Sequence, residues 1–318
     1  MRRSPLARPL TALIAATLVT GALAGCSGVS FGGGCTPEVP SGDASSTVVA
    51  KGAVGEEPSI EFPTPLIVDS AERSVLTEGD GEVIGNYTTV AVELTVLNAA
   101  TGEVLEATPY ADFDTRALFT SGQSQGVFGD ALLCTTVGSR IALVAPAEMF
   151  SNEFDPTTDL SGDSLVVVVD VLGDWLGKAN GFNQLPLDGM PTVATAVEGT
   201  PGVSVSTQVP PTTVRAETVK AGGGAEIAEG DIAIIHIRAW SWSADGSVTL
   251  TALDSWAGNA PYRAVVDPST TDTTIPTEVY DNLVGTKVGS QLMVVVPGGN
   301  DGATIYVVDA LGIDRGDE

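Results

Sequence analysis

The sequence predicts an α+β protein built from one module written twice, each module an antiparallel sheet wrapped on one short helix. Three observations carry this. The stretch "VGSRIALVAP" (Val137 to Pro146) returns as "VGSQLMVVVP" (Val288 to Pro297). Around it the echo is longer: the segment from Pro58 to Ile84 runs without a gap against Pro201 to Ile227, 143 residues on, and the endings "VVVDVLG" and "YVVDALG" repeat 139 residues on. The repeated pieces are also rich in Val and Ile and bounded by Gly, Asp and Pro, which is how strands read. Two long copies are too few for a solenoid, and 318 residues with 43% hydrophobic content suit two globular units.

Taken in order, residues 1–25 read as a secretion signal. Arg2, Arg3 and Arg8 precede the apolar run "TALIAATLVTGALAG", which is short for a membrane helix of roughly 20 residues. "LAGC" at Leu23 to Cys26 resembles the bacterial lipobox, which implies cleavage before Cys26 and a lipid on its thiol; the alternative is an ordinary signal with an incidental cysteine. Residues 26–57 follow as tether and N-terminal arm, 58–177 as the first unit, 178–200 as a Gly- and Pro-rich linker, and 201–318 as the second unit. Within the units, "TVAVELTV", "RIALVAP" and "LVVVVDVL", then "IAIIHIRAW", "QLMVVVP" and "TIYVVDAL", are the expected strands. "GVFGDALLCTTVG" and "PTEVYDNLVGTKVG" are the expected helices. In the second, Thr277 is the expected cap, and Val279, Leu283 and Val284 share one side. In each unit one apolar sheet face is expected to pack on the helix.

Charge narrows the partners. The chain carries −26, and without residues 1–25 it has 11 basic against 40 acidic residues, or −29. Nucleic acid needs Lys and Arg at its phosphates and is excluded on this ground. Attraction to anionic lipid is excluded likewise, leaving the acyl chain as the membrane link. With Cys26 on lipid, Cys35 and Cys134 remain as an even pair in an oxidising compartment and are expected to form a disulfide; two buried or free thiols are the alternative.

The order of pieces carries a family resemblance. "EGDGEVIGNYTTVAVELTV", "ATGEVLEAT", "FGDALLCTTVGSRIALVAP" and "SLVVVVDVLG", and in the second copy "AEGDIAIIHIRAW", "ADGSVTLTALDSW", "APYRAVVD", "VYDNLVGTKVGSQLMVVVP" and "TIYVVDALG", resemble the FKBP-type peptidyl-prolyl isomerases over about residues 76–173 and 219–313. The resemblance implies tandem FKBP-like domains and an apolar pocket that holds a proline ring and a twisted, desolvated amide. It needs no nucleophile, metal or cofactor.

Carried over by position, it implies a first pocket of Leu94 in place of the family's strand Tyr, Leu105 and Glu106 in place of Phe-Asp, and Phe128 in place of the floor Trp. Phe150 stands in place of the lid Tyr, and Val167 in place of the Phe of the last strand. The second pocket has Ile237, Leu253, Asp254, Tyr262, Val279 and Tyr306, and its lid is nearly absent, since Val288 to Asp309 is 12 residues shorter than Val137 to Asp170.

Other candidates read as structure. His236, the single histidine, leaves no second histidine for zinc or for a triad and reads as a strand residue. Trp240 and Trp242 share one side of a strand and are expected to pack, with partner contact as the alternative. Gly222 to Gly224 lack the Lys and Ser/Thr of a phosphate loop and read as a turn. The function expected is a lipid-anchored, monomeric isomerase and folding helper at the outer face of the cell membrane, acting on proline-containing exported polypeptides. A non-catalytic peptide holder is the rival, and an inert envelope protein the third possibility.

Overall fold

The two copies of the "VGS" turn do the same mechanical task. Gly138 and Gly289 sit at φ of +88° and +89°, the left-handed region that glycine enters without a Cβ penalty. The following serine, Ser139 or Ser290, accepts the backbone N–H of Gly79 (3.0 Å) or Gly222 (2.9 Å) through its Oγ. A Cβ on Gly79 or Gly222 would lie 2.2 or 2.3 Å from the carbonyl oxygen of Val137 or Val288, so only glycine permits this backbone-to-backbone approach. Thus "GDG" and "GGG" are the facing halves of one turn, as read from sequence.

The computed structural model describes residues 35–111, 113–122, 126–150, 164–206, 209–258, 260–267, 274–298 and 302–316. The expected leader, residues 1–25, and Cys26 lie outside them. In chain order the first half has β1 (Val49–Lys51), β2 (Ser59–Glu61), β3 (Glu72–Thr77), β4 (Thr88–Asn98), β5 (Val104–Ala107), β6 (Ala117–Thr120), β7 (Arg140–Pro146) and β8 (Ser164–Leu176). Its helices are α1 (Asp43–Ser46) and α2 (Gly126–Leu132). The second half has β9 (Phe182–Asn183), β10 (Thr192–Thr195), β11 (Pro201–Ser204), β12 (Arg215–Ala221), β13 (Ile232–Trp242), β14 (Val248–Asp254), β15 (Tyr262–Val265), β16 (Gln291–Pro297) and β17 (Ala303–Asp314), with α3 (Thr277–Leu283).

The first sheet runs β3-β7-β8-β4-β5 with β6 beside β4; the second runs β12-β16-β17-β13-β14 with β15 beside β13 and β9 beyond β12. All pairs are antiparallel. Even the bulges repeat, at Ala91/Val92 and at Ile234/Ile235. The repeat read from sequence is therefore one topology built twice.

One face of each sheet packs on its helix. Val92, Leu94, Val96, Leu143, Val167 and Val169 meet Val127, Phe128, Ala131 and Leu132 of α2. Ile235, Ile237, Val294 and Val308 meet Val279, Tyr280 and Leu283 of α3. Two details of α3 differ from expectation. Thr277 lies inside the helix after an extended Pro276 and makes no side-chain cap, and Tyr280, not the exposed Val284, shares the buried side. The chain leaves the helix at Val284, whose extended backbone turns it outward.

The second face of each sheet is covered too, which the expectation of a one-faced sheet omitted. An arm comprising α1 and the β1–β2 hairpin lays Val48, Ala50, Ile60, Phe62, Leu66 and Val68 on Leu97, Ala142, Val144, Val166 and Val168. In the second half the stretch read as a linker does the same work. Met190 and Val193, with Val203 just beyond that stretch, pack on Trp240, Trp242, Met293, Val295, Ile305 and Val307, and each fully buried apolar side chain among them contributes about 1.5–3 kcal/mol. This is why runs such as "LVVVVDVL" are continuously apolar: strands covered on both faces lose their alternation. Trp240 and Trp242 pack, as expected. Cys35 and Cys134 form the disulfide, with Cα atoms 5.7 Å apart, tying the arm to the segment after α2.

Cys35–Glu318 forms one compact unit. Ala91, Leu118, Ile234 and Leu311 make a small apolar seam between the halves, joined by Trp175 and Leu176. Trp175 Nε1 donates to the carbonyl of Ile313 (3.2 Å), and Arg263, ion-paired to Asp314 at 2.9 Å, donates to the carbonyl of Arg116. A Cβ on Gly312 would fall 2.0 Å from the Trp175 ring.

Candidate functional site

In the first half four of the six expected pocket residues converge. Leu94 comes from β4, Phe128 from α2, Val167 from β8, and Phe150 from the 3-10 turn that follows β7; all belong to one apolar cluster. None presents surface: they are 3, 3, 0 and 0% exposed. The Phe128 ring leans on Phe119 with centroids 4.6 Å apart. Leu105 and Glu106 do not join them. Both are exposed on β5, at the edge of the sheet. The expected lid loop lies within Val137 to Asp170, and residues 151–163 of that stretch lie outside the described residues.

The second half is arranged differently. Ile237 on β13 and Val279 on α3 are fully buried and form a floor, while Leu253 and Tyr306 pack against the same cluster and remain half-exposed. Tyr262, 36% exposed, faces Ile235 across the β13–β15 ladder, on the side of the sheet that carries the floor. The Tyr306 phenol is pushed up from its ordinary range by burial, with Glu278 adding to the effect and a hydrogen bond from Thr304 opposing it. The result is an aliphatic floor rimmed by a leucine and two tyrosines.

Asp254 is not part of it. Its carboxylate pairs with Arg238 at 2.9 Å and accepts the N–H groups of Trp256 (3.1 Å) and Ala257 (3.3 Å), closing a turn. Arg238 in turn donates to the carbonyl of Pro201 in the second arm (3.1 Å) and stacks over Trp240. Arg238 follows Ile237, so strand alternation sends it, and Asp254 with it, to the opposite face.

That opposite face carries the residues that sequence reasoning missed. On the first sheet, fully buried Arg140 donates through Nε and NH2 to Asp170 (2.5 and 2.6 Å) and also to the carbonyls of Gly52, Ala53 and Glu56, while Asp170 accepts the N–H of Gly55 (2.7 Å). On the second sheet, Asp309 accepts from Gln291 Nε2 (2.7 Å) and from the N–H of Ala179 (2.8 Å). In both halves one buried aspartate clasps the arm. The Asp repeated in "VVVVDVLG" and "YVVDALG" was the available signal, an acid inside an apolar run. His236 is a buried strand residue: Nδ1 lies 2.7 Å from Ser255 Oγ, its ring stacks on Trp256 at 3.9 Å, and burial lowers its pKa to about 3. Among the described residues no three His, Cys, Asp or Glu side chains gather as metal ligands, and no helix is long and apolar enough to cross a membrane.

An apolar cup excludes water from an apolar ring seated in it and from the amide beside that ring. Amide rotation is slowed by the loss of resonance at the twisted state, and an apolar surround favours the less polar twisted form over the planar one. Such chemistry uses no nucleophile.

No family model matches the chain, and no curated protein matches it. Solved structures it is similar to include FKBP-domain proteins. The three FKBP domains of wheat FKBP73 align over 76% of this chain and 95% of theirs, at 15% identity and a TM-score of 0.28. FkpA from Escherichia coli aligns over 40% and 52% at 16% identity and a TM-score of 0.25. A multi-domain immunophilin from Arabidopsis thaliana aligns over 41% and 50%, at 12% identity and a TM-score of 0.30. At such scores superposition adds nothing to the strand order and helix placement described above.

Proposed function

We propose that this chain is a peptidyl-prolyl isomerase of FKBP type, held at the outer face of the cell membrane by a lipid on Cys26, and that its second half is the working site. Its substrates are proline-containing segments of exported polypeptides, and it acts as a monomer without cofactor. The observation that carries the reading is the half-exposed rim of Leu253, Tyr262 and Tyr306 over the buried floor of Ile237 and Val279. The first half, whose counterparts are packed shut, serves as a scaffold that steadies the second through the Trp175 seam.

A second reading is favoured by one feature. Val279 stands where the resemblance puts a floor Trp, and a floor without an aromatic face grips a proline ring less firmly. On that reading the cup holds proline segments without speeding their rotation. A protease-free isomerisation assay on the full chain separates the two. Acceleration that Tyr306→Ala and Leu253→Ala abolish, and Leu105→Ala leaves intact, supports the enzyme. A rate equal to buffer, with a proline peptide nevertheless bound, supports the holder.

A further inference from the structure

The two arm clasps are built on the same plan, with one substitution that changes their physics. Asp170 and Asp309 occupy equivalent places on β8 and β17, and each accepts one arm N–H, from Gly55 or Ala179. The residue beside Asp170 on β7 is Arg140; the residue beside Asp309 on β16 is Gln291. A permanent cation thus faces the first carboxyl group, whereas the second is met by a neutral amide.

The surroundings of Asp309 are also short of a hydrogen. Its cross-strand neighbours on the same face are Gln291 and His236. Gln291 Oε1 and His236 Nε2 are both buried and without a hydrogen-bond partner. The Ser255 hydroxyl accepts the N–H of Ile237 (2.9 Å) and has one hydrogen to share between the carbonyl of Ile237 (3.1 Å) and His236 Nδ1 (2.7 Å). An orphaned amide oxygen beside a buried carboxyl is an arrangement completed by one proton, since a protonated carboxyl is a donor.

We propose that Asp309 and Gln291 form a buried proton-binding site that fastens the strap of residues 178–204 to the second sheet, so that the strap is held more tightly in mild acid than at neutral pH. The proton sits on Asp309 and is donated toward the Gln291 amide oxygen, while the other carboxyl oxygen keeps the Ala179 N–H.

The remaining charges agree with this. Burial raises the Asp309 pKa to about 6; the hydrogen bonds from Ala179 and Gln291, and Lys220 on β12, oppose the rise without cancelling it. Arg238, next on the same face of β13, is committed to Asp254. His236 lies beneath the Trp256 ring, and it is Trp256 that the strap touches, at Gly199. Lifting the strap therefore uncovers Asp309 and leaves His236 stacked and neutral. The sign follows from linkage. The closed state holds the proton up to about pH 6 and the open state only to the ordinary carboxylate range, so closure is favoured below and weakened as pH rises through about 6.

The test is amide hydrogen exchange on the full chain at pH 5 and 7.5, with each rate divided by its intrinsic value. The Ala179 amide should be about tenfold more protected at pH 5, from tenfold per pKa unit, and the Gly55 amide equally protected at both. Asp309→Asn keeps an acceptor for Ala179 and should abolish the difference. Gln291→Arg, which installs the cation of the first half, should abolish it as well. Equal protection at both pH values in the parent, or a pH difference that survives both variants, overturns the proposal. Tighter closure at neutral pH also overturns it, by assigning the coupling to His236.

Discussion

Arg140 offers the most direct test of how the arm is held. It is fully buried, makes two hydrogen bonds to Asp170, and carries three arm carbonyls at 2.8 to 3.1 Å. Replacing it by Met preserves volume and removes all five bonds. Asp170 is then left as a buried charge with the Gly55 N–H as its remaining support. Removing one member of a buried ion pair costs about 3–5 kcal/mol, and a midpoint value of about 4 kcal/mol with a urea slope of about 2 kcal/mol per molar moves the unfolding midpoint by about 2 M. Urea unfolding followed by circular dichroism reads this. The double variant Arg140→Met, Asp170→Leu removes the stranded charge with its partner and should recover most of the loss. A single variant within about 1 kcal/mol of the parent, or a double variant no better than the single, would refute the account of the clasp.

Other consequences are smaller in scope. Cys134→Ser opens a loop closed across 99 residues and should cost at most about 4 to 5 kcal/mol by the chain-entropy estimate, read as a lowered urea midpoint with the strand signal retained. Gly312→Ala places a methyl group inside the Trp175 ring; the overpacking cost of about 1–3 kcal/mol should loosen the seam and redden Trp175 fluorescence, while Gly258→Ala, with nothing within 4 Å, should change neither. The Tyr110 phenol, half-buried and bonded to Thr95 at 3.1 Å, is pushed up to about 12, chiefly by desolvation. Its contribution to stability is therefore intact below pH 10 and lost as pH rises through about 12. Ultraviolet titration should show that late ionisation, and Tyr110→Phe should remove it.

How much could be read in advance depended on where the physics was local. The duplicated "VGS" turn was legible because a left-handed glycine and a serine acceptor leave a fixed sequence mark. The disulfide followed from an even pair of cysteines, and Trp240 and Trp242 from strand alternation. An N-terminal arm was expected over residues 26–57, but the covering role of both arms was not legible. Residues 178–204 have no periodicity because a covering hairpin buries scattered side chains such as Met190 and Val203 rather than every second or fourth one. The site was half legible. Leu94, Phe128, Phe150 and Val167 do converge, as do Ile237, Leu253, Val279 and Tyr306. Position along the chain could not tell a closed core from an open cup, nor place Asp254 on the far face, because both depend on what packs from elsewhere. The aspartate clasps escaped notice since an acid in an apolar run has meaning only once its donors, Gly55 and Ala179, are known.

The central claim is that the second half works on prolyl bonds. Exchange spectroscopy by NMR on a short proline peptide, with and without the full chain, measures cis–trans interconversion directly, and amide shifts in the protein locate the peptide. The account predicts faster exchange, with shifts at Ile237, Leu253, Val279 and Tyr306 and none at Phe128 or Phe150. Exchange no faster than in buffer, or a peptide that perturbs the first half and leaves the second unchanged, would contradict it.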